Sequence, residues 1–118
     1  MILGGGKLDG KRYLKVESVS EMSRNQLPEK IKHIGIGDRR EGVGFGLGFA
    51  VRVEESNWGF GGKKGELGWG GAASTHFWLL PEEGLAVITM RNFMPYQWTL
   101  EKELKELVYD ALKKPQFK

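Results

Sequence analysis

From Val43 to Glu54 the chain alternates strictly. Val43, Phe45, Leu47, Phe49, Val51 and Val53 fall on one side, and Gly44, Gly46, Gly48, Ala50, Arg52 and Glu54 on the other. A period of two predicts one strand, 43–54, with an apolar face for a core. Its glycine face lets another group approach the backbone closely, either a packed helix or a substrate. Residues 75–80 (Thr-His-Phe-Trp-Leu-Leu) and 85–91 (Leu-Ala-Val-Ile-Thr-Met-Arg) are rich in β-branched and aromatic types. Pro81-Glu82-Glu83-Gly84 between them is a turn signal: proline sets φ, and glycine accepts positive φ on the return. These runs predict adjacent antiparallel strands. Strand 85–91 is apolar on both faces, which places it inside the sheet.

After residue 98 the period changes to that of a helix. Leu100, Leu104, Leu107, Val108 and Ala111 form an apolar stripe. Thr99 stands at the N-cap, and Glu101 and Glu103 in the first turn suit the helix dipole. Glu101 and Lys105 are an i,i+4 pair, and Lys113, Lys114 and Pro115 close the helix. A shorter helix is expected over 16–24, with Val16, Val19 and Met22 on one stripe. Ser18 and Glu21 could form a capping box that starts it later. The residue before Pro28 is pushed out of the α region, so the helix ends there. Gly4-Gly5-Gly6 cannot hold a helix cheaply, and Asp9-Gly10 is a turn dipeptide. Charged residues from Glu29 to Glu41, around His33, read as a surface loop. Ser56–Gly65, with Trp58 and Phe60 among glycines, reads as a hairpin connection. The class is α+β: an antiparallel sheet of three strands, possibly more, covered by a C-terminal helix, with a short N-terminal helix.

A length of 118 residues suits a single domain, 1–118. Apolar content of 40% and a mean hydropathy of −0.39 describe a soluble globular chain. No run approaches the roughly 18 apolar residues of a membrane helix. The N-terminus does not read as a signal peptide, and the compartment stays open. With no cysteine, disulfides, thiolate catalysis and Cys-ligated metal are out. The net charge is +3, but lysines and arginines alternate with acids, so no nucleic-acid patch is expected. Trp58, Trp69 and Trp78 are the residues on which a nucleic-acid binder would stack bases. His33 and His76 lack metal-ligand spacing, and no helix follows Gly44-x-Gly46-x-Gly48, so neither metal nor cofactor is expected. His76 alternates with Trp78 and Leu80 and reads as a satisfied, half-buried histidine.

One stretch carries a likeness. Trp69-Gly70-Gly71 is followed by an aromatic strand, a Pro-Glu-Glu-Gly turn and an apolar strand ending at Asn92. Gly44-Phe45-Gly46-Leu47-Gly48 precedes it, and Leu3-Gly4-Gly5-Gly6-Lys7-Leu8-Asp9-Gly10 stands further upstream. In this order the series resembles the C-terminal third of the serine β-lactamase and penicillin-binding-protein superfamily. The resemblance is to the class C side, with its family VIII carboxylesterases. There the third motif is Lys-Thr-Gly, His-x-Gly or Trp-Gly-Gly on a strand lining the active site. The resemblance implies that Trp69, Gly70, Gly71 and Ala72 bind substrate, the Ala72 N–H being one of two oxyanion donors. Taken alone, the tripeptide is equally a bulged strand that packs an aromatic into a core.

The family's nucleophile is absent from this sequence. Three residues after serines 18, 20, 23, 56 and 74 stand Glu21, Ser23, Gln26, Gly59 and Phe77, so no Ser-x-x-Lys exists. Two residues after tyrosines 13, 96 and 109 stand Lys15, Trp98 and Ala111, so no Tyr-x-Asn exists. No catalytic residue is therefore assigned. The expectation is the sheet-side part of an esterase- or β-lactamase-like hydrolase, inactive alone. The alternative is a non-catalytic interaction or oligomerisation module. In the family the sheet continues past the strand equivalent to 85–91, so here that strand is expected to be an edge. It would pair in a homodimer or with a complementing N-terminal chain, unless residues 1–14 fold back to cover it.

Overall fold

The computed structural model describes residues 1–36, 38–55 and 62–113. The chain opens with β1 (Lys7–Leu8), β2 (Lys11–Arg12) and α1 (Val16–Ser23). Two short strands, β3 (Gly35–Ile36) and β4 (Asp38–Arg39), follow. The main sheet comprises β5 (Val43–Phe45), β6 (Ala50–Arg52), β7 (Leu67–Gly70), β8 (His76–Leu80) and β9 (Leu85–Thr89). Helix α2 (Thr99–Lys113) comes last. The five strands form an antiparallel meander in the order β5-β6-β7-β8-β9.

The β8–β9 hairpin is as expected. Trp78 pairs with Val87 and Leu80 with Leu85. A 3-10 turn at Pro81–Glu83 ends at Gly84, whose φ of 63° needs no Cβ penalty. Its N–H donates to the Pro81 carbonyl at 3.2 Å. Asp9 and Gly10, both at positive φ, turn β1 into β2.

The single strand over 43–54 is instead two strands. Phe45 pairs with Ala50 and Val43 with Arg52, and the Gly46 N–H donates to the Phe49 carbonyl at 2.8 Å. Cross-strand partners share a face, so Val43 shares one face with Arg52, and Val51 shares the other with Gly44. The apparent period of two ran through a turn. Glycine makes that turn possible: Gly48 has φ 97°, and a Cβ on Gly46 would sit 2.0 Å from the Met22 carbonyl oxygen. The end of α1 fills the space the glycines leave. Leu47 N–H donates to the Met22 carbonyl, and Asn25 Oδ1 accepts from Phe45 N–H at 3.1 Å.

Helix α1 starts at Val16 without a side-chain cap, not at a Ser18 capping box. Glu21 is drawn the other way, taking Arg24 at 2.6 Å and Gln26. The loop over 28–42 contains the β3–β4 hairpin and delivers a buried Arg40.

Strand β9 is the outer strand of the sheet, the edge expected from the family's sheet and not the inner strand its apolar run suggested, and it ends at Thr89. Ile88 is 68% exposed, so the apolar run faces solvent on that side. The N-terminal hairpin β1–β2 forms a sheet of its own and does not pair with this edge.

Helix α2 lies where expected but buries another face. Glu101 and Lys105 are its buried residues, while Leu107 is 66% exposed and Leu100, Leu104 and Val108 are half-buried. The sheet surface beneath explains this, because it offers His76 and Glu66 as partners for those charges. No helix among the described residues is long and apolar enough to cross a membrane. Trp58, Phe60, Lys114 and Pro115 lie outside the described residues.

Candidate functional site

Trp69 and Gly70 end β7, and Gly71 and Ala72 enter the turn toward β8. Gly71 N–H donates to the Thr75 carbonyl at 2.8 Å, and Ser74 N–H to the Gly71 carbonyl at 3.0 Å. Ala72 is exposed. β8 pairs with β7 through Gly70, but β6 pairs with it only at Leu67 and Gly68. On the β6 side the ladder therefore stops before Trp69, and among the described residues the strand edge at Trp69-Gly70 carries no ladder partner there. The Trp69 indole meets the Phe45 ring edge-on at 5.2 Å, under the Arg40 guanidinium at 5.6 Å. Arg40 also lies 5.1 Å over Trp98, so one loop cation joins the motif to the approach of α2.

Gly68 and Gly70 face Trp78 and His76 across the β7–β8 ladder. A Cβ on Gly70 would stand 2.4 Å from His76 Cδ2 and 3.0 Å from the Tyr96 hydroxyl. The missing side chain thus makes room for an imidazole under α2. His76 is 5% exposed. Its Nε2 contacts the Tyr96 hydroxyl and its Nδ1 the Glu101 carboxylate. Tyr96 and Trp98 rings flank it at 4.8 and 4.9 Å. The tautomer that fits carries its proton on Nδ1, toward Glu101, leaving Nε2 to accept from Tyr96. Ser74 anchors this segment. It is fully buried at φ 62°, its Oγ–H donates to the Phe93 carbonyl at 2.8 Å, and its Oγ accepts from Gln97 N–H at 3.0 Å.

Burial, with the positive charges of Lys105 and Arg91, pulls the His76 pKa from 6.5 to about 4. The unfolded chain takes up this proton near pH 6.5, and the folded chain refuses it until about pH 4. Between those values the unfolded state binds more protons, so the contribution is intact above pH 6.5 and is lost on acidification toward pH 4. Urea midpoints of wild type and His76→Gln at pH 7, 5.5 and 4.5 should diverge, with the wild type falling more steeply. Identical pH dependence in both would show that His76 does not titrate this way.

A second polar cluster adjoins the first. Glu66 holds the Lys105 ammonium and accepts from the Tyr109 hydroxyl, with both carboxylate and ammonium buried. Burial pulls the Lys105 pKa below its usual range, and Glu66 opposes that. Burial, then Glu66, pushes the Tyr109 phenol up. Lys105 also stands 5.4 Å over the Trp78 ring. Between sheet and helix lies a cavity of about 60 Å³, with Trp69, Gly70, His76, Trp78, Trp98 and Glu101 on its walls.

Sequence reasoning named Trp69 to Ala72 and judged His76 satisfied. It missed Arg40, Ser74, Tyr96, Glu101 and Lys105, which the fold brings together from four separate segments. Only the Glu101–Lys105 spacing hinted at them, and an i,i+4 pair usually signals a solvated face. Trp78 is 2% exposed and cannot stack a base. Among the described residues no three His, Cys, Asp or Glu side chains gather to hold a metal.

No family model and no curated relative matches this sequence. Its fold does match a solved structure, that of unliganded simvastatin synthase (LovD) from Aspergillus terreus, as the selenomethionyl derivative. The superposition covers 86% of this chain with a TM-score of 0.68 at 19% identity. The chain has a partial β-lactamase-like fold. It spans 30% of the length of that synthase.

Proposed function

We propose that this chain forms the sheet-side wall of a β-lactamase- or esterase-like serine hydrolase site and is inactive alone. The observation that carries the reading is the open edge at Trp69-Gly70, where β6 begins only at Ala50, opposite Gly68, on a sheet of partial β-lactamase-like fold. Substrate would lie along Trp69, Gly70 and Gly71. The Ala72 N–H, in the exposed turn after them, would donate to the oxyanion of a tetrahedral intermediate. Trp69 would offer a stacking face and an indole N–H rather than charge, which suits an ester more than a substrate recognised by its carboxylate. The nucleophile and its base would come from a segment this sequence does not contain, because a serine hydroxyl needs a base within hydrogen-bond reach. The purified chain is therefore expected to hydrolyse neither nitrocefin nor p-nitrophenyl esters above background. Turnover that survives repurification would overturn the reading.

The outer strand favours a second reading, a non-catalytic oligomerisation module. Leu85 to Thr89 form an edge without charge or proline, and the sheet face opposite α2 carries Phe77, Leu79 and the exposed Ile88. Such an edge is a template for another strand, from a second copy or from a complementing chain. Sedimentation at micromolar concentration should give twice the 13.3 kDa chain mass, and Ile88→Lys should shift it toward monomer. A stable wild-type monomer would reject self-pairing and leave only the complementing chain.

A further inference from the structure

Acids and bases alternate along most of this chain, but not over residues 1–16. There Lys7, Lys11, Arg12 and Lys15 stand against Asp9 alone. The other residues carry 14 basic and 14 acidic side chains, so the entire net charge of +3 sits on this one segment. The segment is the β1–β2 hairpin with its flanks, and it is held in shape. Gly4 and Gly6 N–H donate to the Met1 carbonyl, and Tyr13 N–H to the Gly6 carbonyl at 2.8 Å. The Arg12 guanidinium donates to the carbonyls of Gly5 and Leu14 at 3.0 and 2.8 Å. Lys7 and Arg12 are opposite each other in the ladder, a register that like charges disfavour. Among the described residues none of the four cations has a carboxylate partner. On the other face Leu8 stands opposite Lys11, whose ammonium lies 5.3 Å over the Tyr13 ring. Leu8 is 48% and Tyr13 55% exposed. A polynucleotide would answer the charge but has no use for Leu8. A bilayer with anionic headgroups answers both, offering negative charge at the level of the ammonium groups and an acyl boundary just beneath for Leu8 and the amphipathic Tyr13.

We propose that the β1–β2 hairpin docks this chain reversibly on an anionic bilayer surface, with Leu8 and Tyr13 entering the headgroup region and Lys7, Lys11, Arg12 and Lys15 supplying the charge. The surface shares no residue with the Trp69–Ala72 wall, so it goes beyond the hydrolase reading and can fail without it. The test is flotation of the purified chain with vesicles of phosphatidylcholine, alone or mixed with phosphatidylserine, at low and at raised sodium chloride. The chain should float with the mixed vesicles at low salt, stay behind with phosphatidylcholine alone, and be released as salt screens the charges. Lys7→Glu with Lys11→Glu should lower the partition coefficient by roughly tenfold or more, since each basic residue at such a surface contributes a factor of about five. Leu8→Ser with Tyr13→Ser should lower it too, at unchanged charge. These four side chains are exposed, so both variants should melt like the wild type. Loss in the charge variant but not in the serine variant would mean a patch for polyanions of any kind and would overturn the bilayer. Equal binding to both vesicle types, binding unchanged in both variants, or no binding would overturn it as well. If a variant melts early, acetylation of Lys7 and Lys11 in the wild type reads the same contact. Mixed vesicles should slow it relative to the exposed Lys30, and equal rates would overturn the proposal.

Discussion

Replacing Lys105 by methionine should destabilise the fold by about 3–5 kcal/mol, although the two side chains are similar in size. The reason lies in what the substitution leaves behind. Glu66 is buried, and its partners include the Lys105 ammonium and the Tyr109 hydroxyl. Without the ammonium, the buried carboxylate loses its Lys105 ion pair while it stays in a site of low polarity. The loss should be largely context-dependent, because burying an ion pair gains little over packing apolar groups. Glu66→Gln in the Lys105→Met background should therefore recover part of the stability. Denaturant melts of the two single variants and the double variant measure this coupling directly. A change under about 0.5 kcal/mol in Lys105→Met, the size of an exposed pair, would show that α2 does not bury this charge.

Trp78→Ala should cost about 3–5 kcal/mol, as large aromatic truncations in cores do. Trp78 is 2% exposed, pairs with Val87 on the outer strand, and lies beneath the Lys105 ammonium. Gly68 faces it across β7, where a Cβ would come within 2.7 Å of the Phe77 carbonyl oxygen. The neighbours are thus shaped around this ring, and little can collapse into the hole. A denaturation midpoint close to wild type would mean that the helix, sheet and cavity are not arranged as described. Val87→Ala, on the half-buried partner, should cost less.

These two residues also show what was legible beforehand. The β8–β9 hairpin was, because Pro81 fixes its own φ and Gly84 readily accepts the positive φ of the return. Helix α2 was legible as a helix but not in its facing. An apolar stripe predicts burial against an apolar surface, and here the surface beneath is His76 and Glu66. Charges follow their partners, and partners from distant strands leave no trace in local periodicity. The Val43–Glu54 alternation failed for a related reason: glycines at 44, 46 and 48 fit both a strand facing a groove and a turn under a helix. What selected the turn was the Met22 carbonyl, some twenty residues upstream. The candidate motif was visible as residues, but the late start of β6 at Ala50, which opens its edge, belongs to the register alone.

The account rests on a site wall without its own nucleophile. Labelling tests this without knowing the substrate. The purified chain is incubated with a fluorophosphonate, which modifies any serine activated by a base, and its intact mass is measured. The expected result is the unmodified mass after prolonged incubation, with a known serine hydrolase labelled in parallel. A stoichiometric adduct on any of the five serines, lost on heat denaturation before labelling, would show an activated nucleophile within this chain and contradict the account.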